Sequence, residues 1–343
     1  MRVLILIFIL LFSGCGRNGN LYDLFEQYEH TAPKEDGAPP MGIQNIPYGV
    51  IVEGDFPYDK NKPTPIDIIF SIDNSGSMDP FIQAVEDNIK TFVGTLEKNK
   101  VDFQIGFVKS TENNNGAYDS SFVGPYKIVK STDSNVEQEI QADIETIRRG
   151  DAGGNERGVW ILEQAIHNGS NFKIFRNGSF LSLMVLTDAI DDYYDNAGNI
   201  SSTTQNLLRI FNAISTVGMT LVSIGSPSSN PCPTAENPSQ PLLEALTMAT
   251  SQKMGRICDS NYSSILEEAA SSIVKQANGF DLSGLVPGDK DIDPESVEVF
   301  VNGKLIPDTS FLVTSGSKRL TFVNSYTPPD GATIHVRLAY VEP

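Results

Sequence analysis

Short apolar runs alternate with amphipathic segments through most of the chain. Patterns typical of buried strands occur at 66–72, 103–108, 126–129, 181–186 and 220–224. Patterns with a helical period occur at 81–96, 134–147, 156–167, 203–216, 241–250 and 263–277. Strands that alternate with helices in this way predict a mainly parallel sheet with helices on both faces. The fold class predicted for residues 61–279 is therefore α/β, with a doubly wound sheet.

The pattern of apolar residues changes after residue 279. Val297, Val299 and Val301 alternate with polar residues, and the Asn302-Gly303 pair that follows them is typical of a two-residue hairpin turn. Further short strand patterns occur near 311, at 320–323 and at 333–340. Because no helical period occurs in this part of the sequence, residues 280–343 are predicted to form a small antiparallel sandwich or barrel.

The amino-terminal segment has the pattern of an export signal. A single Arg precedes ten apolar residues at 3–12, and Ser13, Gly14 and Cys15 follow them. The apolar run is too short to span a bilayer as a helix, and it is typical of the core of a signal peptide. It resembles a bacterial lipoprotein signal, which implies removal of residues 1–14 and attachment of a lipid to Cys15. An ordinary secretory signal with an incidental cysteine is the alternative.

Residues 15–60 lack sustained periodicity and are rich in Gly, Pro, Asn and charged residues. This composition predicts a flexible tether, which ends in a short strand at 48–52. A lipid on Cys15 would attach the chain to a membrane of the bacterial cell envelope. We expect it to face the periplasm or the cell surface, with the outer membrane favoured.

Net charge and cysteine content indicate which partners, cross-links and metal sites this chain favours. The formal net charge of −18 disfavours nucleic acid as a partner, because an acidic surface repels phosphate backbones. If Cys15 carries a lipid, Cys232 and Cys258 remain as the other two cysteines of an exported chain. A disulfide between them is predicted, with two free thiols as the alternative. Zinc is disfavoured because the three histidines are scattered without ligand spacing.

Side chains that could bind a metal ion lie where predicted strands end. Asp73 directly follows the strand at 66–72, and Ser75 and Ser77 alternate along the next loop. Such oxygen ligands suit hard divalent cations, although Ser and Asp also occur at helix starts as caps. Thr187 and Asp188 end a second buried strand, and a Gly-rich loop at 150–158 precedes a helix. Since ligands bind at the carboxyl ends of parallel strands, these three loops are predicted to converge on one cation.

The "DNSGS" motif after a buried strand and the "LTD" motif at a later strand end resemble the metal-ion-dependent adhesion site of the von Willebrand factor type A (vWA) family. The resemblance covers residues 62–278. It implies binding of Mg²⁺ or Mn²⁺, with Ca²⁺ as a further option. The serines Ser75 and Ser77 would bind the ion directly, and Asp73 and Asp188 would act largely through waters.

The third metal-binding loop departs from the family pattern. The family has a Thr there, and the matching position in this chain is Asn155, next to Glu156. Either the Asn155 carbonyl oxygen or the Glu156 carboxylate is a candidate ligand. The acidic residues Asp191, Asp192 and Asp195 are interpreted as a solvated loop, with Ca²⁺ binding as the alternative. Of the nearby aromatic residues, Tyr193 and Tyr194 are interpreted as either partner contacts or ordinary loop packing.

The resemblance implies an adhesion-type module in which an Asp or Glu of another protein completes the coordination of the ion. The sequence shows no G-x-S-x-G or H-E-x-x-H motif and no histidine near the serine loop, so no enzymatic activity is predicted. The predicted function is metal-dependent protein binding by an exported, lipid-anchored protein. The alternative is a structural lipoprotein of the cell envelope with a vestigial metal site.

Overall fold

The computed structural model describes residues 49–58, 64–150, 153–194, 199–214, 218–250, 252–282, 284–287, 290, 292–314, 318–322 and 326–341. The predicted signal peptide, Cys15 and most of the predicted tether lie outside these residues. Within the described ranges, no helix combines the length and the apolar character that crossing a membrane requires.

The helices and strands follow the sequence pattern closely. In chain order the strands are β1 (Gly49–Pro57), β2 (Ile66–Ile72), β3 (Phe103–Lys109), β4 (Ile128–Lys130), β5 (Phe180–Leu186), β6 (Met219–Gly225), β7 (Gly255–Arg256), β8 (Phe280–Asp281), β9 (Glu298–Val301), β10 (Lys304–Leu305), β11 (Phe311–Thr314), β12 (Arg319–Phe322) and β13 (Thr333–Val341). The α-helices of the described chain are α1 (Asp79–Lys98), α2 (Val136–Arg148), α3 (Gly158–His167), α4 (Ile200–Asn212), α5 (Pro241–Ala249) and α6 (Tyr262–Ala277).

The central sheet has the strand order β4-β3-β2-β5-β6-β7. All its pairings are parallel except that of β3 with β4. Strands β2, β5 and β6 are buried along their whole length, because helices cover the sheet on both faces. Apolar residues of α1, α2 and α6 form the core on one face, and those of α3, α4 and α5 form the core on the other. The predicted α/β fold class is thus confirmed.

One helix boundary differs from the sequence prediction for a reason that bears on the site. The helix predicted at 156–167 begins only at Gly158. Glu156 instead forms an isolated antiparallel bridge with Thr111, and the Arg157 backbone N–H donates to the Ser110 carbonyl oxygen at 3.0 Å. Because Glu156 and Arg157 make these contacts with the end of β3, the helix begins after them.

The remaining strands form a separate β module of two antiparallel sheets, with orders β1-β13-β9-β10 and β11-β12-β8. Apolar residues of both sheets share one core, as in a sandwich. The predicted hairpin is confirmed, since β9 pairs with β10 and both Asn302 and Gly303 have the positive φ, 50° and 79°, of its two-residue turn.

The β module contains a strand from each side of the α/β domain. Strand β1 pairs with β13 over nine residues, from Gly49 opposite Val341 to Pro57 opposite Thr333. The strand predicted at the end of the tether therefore exists, is longer than expected, and belongs to this module. The α/β domain is consequently an insertion between the first strand of the β module and its remaining strands.

Arg319 of β12 connects the β module to the α/β domain. Its side chain is fully buried, and the Arg319 Nη2 donates to the carbonyl oxygens of Ala277 and Gly279 at the end of α6. The guanidinium also lies 4.8 Å from the ring centroid of Phe180 in β5. Burial lowers the pKa of Arg319 to about 10, so the side chain keeps its charge at neutral pH. These contacts bind the module to the amino-terminal edge of the central sheet.

Candidate functional site

The predicted ligand loops meet at the carboxyl ends of two adjacent central strands. In the parallel register of β2 and β5, Ile72 lies opposite Leu186. The residues that follow are therefore neighbours: the Asp73 N–H donates to the Leu186 carbonyl oxygen at 2.9 Å, and the Thr187 hydroxyl donates to Asp73 Oδ2 at 2.7 Å. The strand register thus fixes the position of Asp73 before any ligand binds.

The serine loop folds back onto the same point. Asp73 Oδ1 accepts a hydrogen bond from the Ser75 backbone N–H at 2.8 Å, which closes a tight turn. The hydroxyl oxygens of Ser75 and Ser77 are 3.1 Å apart, and Ser77 Oγ donates to Asp188 Oδ1 at 3.2 Å. The structure therefore brings together four of the five predicted metal ligands, called here the candidate metal site: Asp73, Ser75, Ser77 and Asp188.

The donor chemistry of the candidate metal site fits a hard divalent cation. Asp73 and Asp188 are fully buried, and no ion pair of the described residues involves either carboxylate. Burial raises the pKa of both groups, that of Asp73 to about 6, because a buried carboxylate without a counterion resists ionisation. A bound cation would supply the missing positive charge. In the described chain no three His, Cys, Asp or Glu side chains form a metal-binding group, and the serine hydroxyls would add oxygen ligands to the two carboxylates.

The third loop presents its two candidate ligands differently. Asn155 is exposed, and its side-chain amide donates to Glu112 Oε1 at 2.7 Å. Glu156 is 4% exposed, and burial together with the negative charge of Asp73 raises its pKa to about 8. The Glu156 carboxyl therefore lies within electrostatic range of Asp73, whereas the Asn155 amide is bound to Glu112. Within the described residues, no contact of the Asn155 side chain with the candidate metal site supports its prediction as a ligand.

One further contact around the site was not predicted from the sequence. Thr111, which follows β3, donates a short hydrogen bond from its hydroxyl to the Asn74 side-chain oxygen, and both residues are buried. The only sequence signal for Thr111 is its position just after a strand that borders β2. The contact holds the serine loop against the end of β3.

The interpretation of Asp191 as part of a solvated loop is wrong. Its carboxylate is buried and accepts hydrogen bonds from four backbone N–H groups, those of Val159, Trp160, Tyr193 and Tyr194. Asp191 thereby caps the first turn of α3 and shapes the loop after Asp188. Asp195 lies outside the described residues.

The predicted disulfide between Cys232 and Cys258 is confirmed, with a Cα–Cα distance of 5.8 Å. It closes a loop that reaches the candidate metal site. The backbone N–H of Glu236 donates to Asp188 Oδ2 at 3.3 Å, and that of Asn237 donates to the Asp188 carbonyl oxygen at 3.0 Å. The disulfide thus holds one of the walls of the site.

No protein-family model matches the chain, and no curated protein matches it. Three solved structures show distant similarity. The open conformation of the pilus adhesin SpaC from Lactobacillus rhamnosus GG is 14% identical over 88% of this chain and 43% of that chain, with a TM-score of 0.44. Proximal thread matrix protein 1 from the mussel byssus is 15% identical over 63% and 49%, with a TM-score of 0.37.

The human COPII-coat protein Sec24c is 12% identical over 84% of this chain and 46% of that chain, with a TM-score of 0.39. The chain spans less than half the length of each of these three structures. Similarities of this strength do not assign a function. The class of protein is defined here by the structure itself, as an α/β domain with an oxygen-lined crevice, inserted into a β module.

Proposed function

We propose that this chain is a metal-dependent protein-binding module of the vWA type, which binds an acidic residue of a partner protein through a divalent cation. The observation that carries the proposal is the meeting of two serine hydroxyls with Asp188 beside the buried Asp73. Mg²⁺ or Mn²⁺, when bound, would supply a Lewis-acidic position that a carboxylate can occupy. The structural alternative, a vestigial site, predicts no response to metal.

In this proposal the residues of the candidate metal site have different roles. Asp73 and Asp188 lie below the surface and provide negative charge, and their hydrogen bonds with Thr187 and Glu236 fix their orientation. Ser77 is exposed, whereas Ser75 is 7% exposed, so solvent reaches the site from the serine side. A partner carboxylate would therefore approach over Ser77.

We also propose that the chain is exported and attached to a cell-envelope membrane through Cys15. The signal-like segment at 1–15 supports this proposal, and the Cys232–Cys258 disulfide suits an oxidising compartment. The strongly acidic charge does not prevent binding of an acidic partner. At physiological salt the Debye length is about 8 Å, so the local charge of a cation dominates at contact.

A thermal unfolding experiment tests the metal site directly. Mg²⁺ or Mn²⁺ should raise the melting temperature of the purified full chain, because an ion that binds only the folded state stabilises it by about 2.7 kcal/mol at a concentration of 100 Kd. The double variant Ser75→Ala/Ser77→Ala should lose this shift.

The matched control is Thr91→Ala/Ser263→Ala, since those two half-buried residues form a similar hydroxyl pair, 3.0 Å apart, between α1 and α6. This control should keep the full metal response. If millimolar Mg²⁺ and Mn²⁺ leave the melting curve of the unmodified chain unchanged, the site is vestigial and the structural alternative stands.

A further inference from the structure

Beside the candidate metal site lies a group of three aromatic rings around one guanidinium. The Arg157 Cζ is 4.5 Å from the ring centroid of Tyr118, 5.3 Å from that of Trp160 and 5.6 Å from that of Tyr193. The rings also contact one another, with centroids 5.2 Å apart for Tyr118 and Trp160 and 5.7 Å apart for Trp160 and Tyr193. We call these four residues the aromatic–arginine cluster.

The cluster is built from the same loops as the metal site. Arg157 directly follows Glu156, and its backbone N–H donates to the Ser110 carbonyl oxygen, while the Ser110 N–H donates to the carbonyl oxygen of Ile72, both at 3.0 Å. Ile72 is the residue before Asp73. Two hydrogen bonds therefore connect the backbone of Arg157 to the start of the serine loop, and the cluster and the metal site lie on one edge of the sheet.

The cluster is partly open to solvent, which a purely internal packing group would not be. Tyr193 is 51% exposed, and Tyr118, Arg157 and Trp160 are half-buried. Tyr, Trp and Arg are the residue types that most often dominate the binding energy of protein interfaces. The tilted and edge-on packing of the rings holds the surface rigid, so that binding would order few side chains.

The charge of Arg157 is not balanced by a direct contact. In the described chain its side chain forms no ion pair, and its buried Nε has no hydrogen-bond partner. The acidic residues Glu112, Glu156 and Asp192 lie close enough to influence the neighbouring Tyr118 hydroxyl. Arg157 is thus a fixed cation at an otherwise acidic rim, and the planar fork of its guanidinium is suited to a carboxylate.

We propose that the aromatic–arginine cluster is a second anchoring point for the same partner. Its Arg157 binds a second carboxylate, from an acidic segment whose first carboxylate is held at the candidate metal site, and the three rings pack against the segment between them. This inference rests on the proposed metal-dependent function. The partner it specifies is a protein segment with two acidic residues close together, and not one with a single acidic residue.

A selection from a random peptide library tests this specificity. Peptides of about 12 residues are selected in Mg²⁺ on the immobilised full chain, on Arg157→Gln and on the control Arg209→Gln, which neutralises an exposed arginine of α4. The unmodified chain and the control should enrich peptides with two acidic residues at a constant separation. Arg157→Gln should enrich peptides with one acidic residue and bind the two-acid peptides about tenfold more weakly, the loss expected for one charged contact.

The only tryptophan of the chain, Trp160, provides a second measurement. Binding of a selected two-acid peptide should change its fluorescence in the unmodified chain, and replacement of the second acidic residue by Gln should reduce the change. Arg157→Lys keeps the charge but loses the planar fork, and should bind the two-acid peptide with intermediate affinity.

The outcomes separate this inference from the proposed function. If chelator or Ser75→Ala/Ser77→Ala abolishes peptide binding but Arg157→Gln does not weaken it, the metal site stands and the second anchoring point is wrong. If binding needs Arg157 but not metal, the proposed function is wrong and the cluster alone binds the acidic segment. If the library yields no enriched peptide, or only peptides with one acidic residue, the inference is overturned.

Discussion

Two buried aspartates lie at the two ends of strand β2, and they differ in whether an arginine contacts their carboxylate. Asp67, near the start of the strand, is 1% exposed and Asp73, just after its end, is 0% exposed. Asp67 accepts hydrogen bonds at 2.7 Å from both the Nε and the backbone N–H of Arg176. Asp73 receives hydrogen bonds from Ser75 and Thr187, and no cationic side chain of the described residues pairs with it.

Burial raises the pKa of both aspartates, and only at Asp67 does an arginine oppose the effect. A buried carboxylate is stable in its charged form only with a counterion and hydrogen bonds. The fold therefore supplies its own cation at one end of the sheet. At the other end none of the described residues supplies a cation to Asp73, and in the proposed function the bound metal ion would do so.

The largest effect is expected from removal of the internal counterion. Arg176→Ala leaves Asp67 buried and unpaired, and should lower the free energy of unfolding by about 3–5 kcal/mol, with or without metal. Chemical denaturation measures this loss, and Arg209→Ala on the exposed face of α4 is the control. A decrease of less than about 1 kcal/mol in the free energy of unfolding would contradict the interpretation that Arg176 stabilises the buried Asp67.

The next largest effect concerns the wall of the metal site. Replacement of both Cys232 and Cys258 by Ser should lower the free energy of unfolding by about 2–5 kcal/mol, the usual result of removing a native disulfide. Because the closed loop contacts Asp188, the stabilisation by Mg²⁺ should decrease as well. Titration of Mg²⁺ into the folded variant measures that second effect; an unchanged affinity would show that the loop does not shape the site.

Matched substitutions at the two aspartates sharpen the comparison. Asp73→Asn should change the stability in chelator by less than about 1 kcal/mol, because it removes an uncompensated charge while an oxygen remains to accept from Ser75. It should also abolish the response to Mg²⁺. Asp67→Asn should lower stability equally in chelator and in Mg²⁺, because Arg176 then loses its buried partner and keeps only the exposed Asp102. The melting temperature of each variant is measured in chelator and in Mg²⁺. If Asp67→Asn and Asp73→Asn show the same changes in both conditions, the proposed difference between the two aspartates is wrong.

The smallest effect is a dependence of stability on pH in the absence of metal. The pKa values of Asp73, Asp143 and Asp191 are raised to about 6 and that of Glu156 to about 8, in each case chiefly by burial. Between the unfolded values near 4 and these folded values, the folded state binds more protons than the unfolded state.

The contribution of these groups to stability in chelator should therefore be largest below about pH 4 and decrease as the pH rises from about 4 to about 8. Mg²⁺ should reduce this decrease, since a cation favours the charged carboxylates of the site. Asp143→Asn, which is remote from the site on α2, should remove only its own part of the decrease. Melting temperatures that increase with pH in chelator would contradict the assignment of raised pKa values to these buried carboxylates.

The sequence predicted the central sheet well because the signals are local. A fully apolar run with Asp73 or Thr187 directly after it marks both a buried strand and the edge at which it ends. The parallel register then brings those two residues together without further information. The four residues of the candidate metal site were therefore accessible from strand ends alone.

Other features depend on contacts between distant parts of the chain. Glu156 is buried and Asn155 is exposed where Glu156 bridges to Thr111, and no local pattern indicates that bridge. The aromatic–arginine cluster joins Tyr118, Trp160 and Tyr193 from three separate segments, and only Tyr193 is singled out by the sequence. In the same way, the pairing of β1 with β13 spans almost the whole chain, so a strand within the predicted tether could not be assigned to the β module.

The insertion of the α/β domain after β1 also defines a mechanical path. In the proposed function, a pull between an anchor before Gly49 and a partner bound at Asp73 enters the described fold at the first residue of β1. Strand β1 is joined to β13 by hydrogen bonds that run across the strands over nine residue pairs. A pull along the axis of β1 would load these bonds together in shear and not one after another, so the pairing of β1 with β13 would resist such a pull.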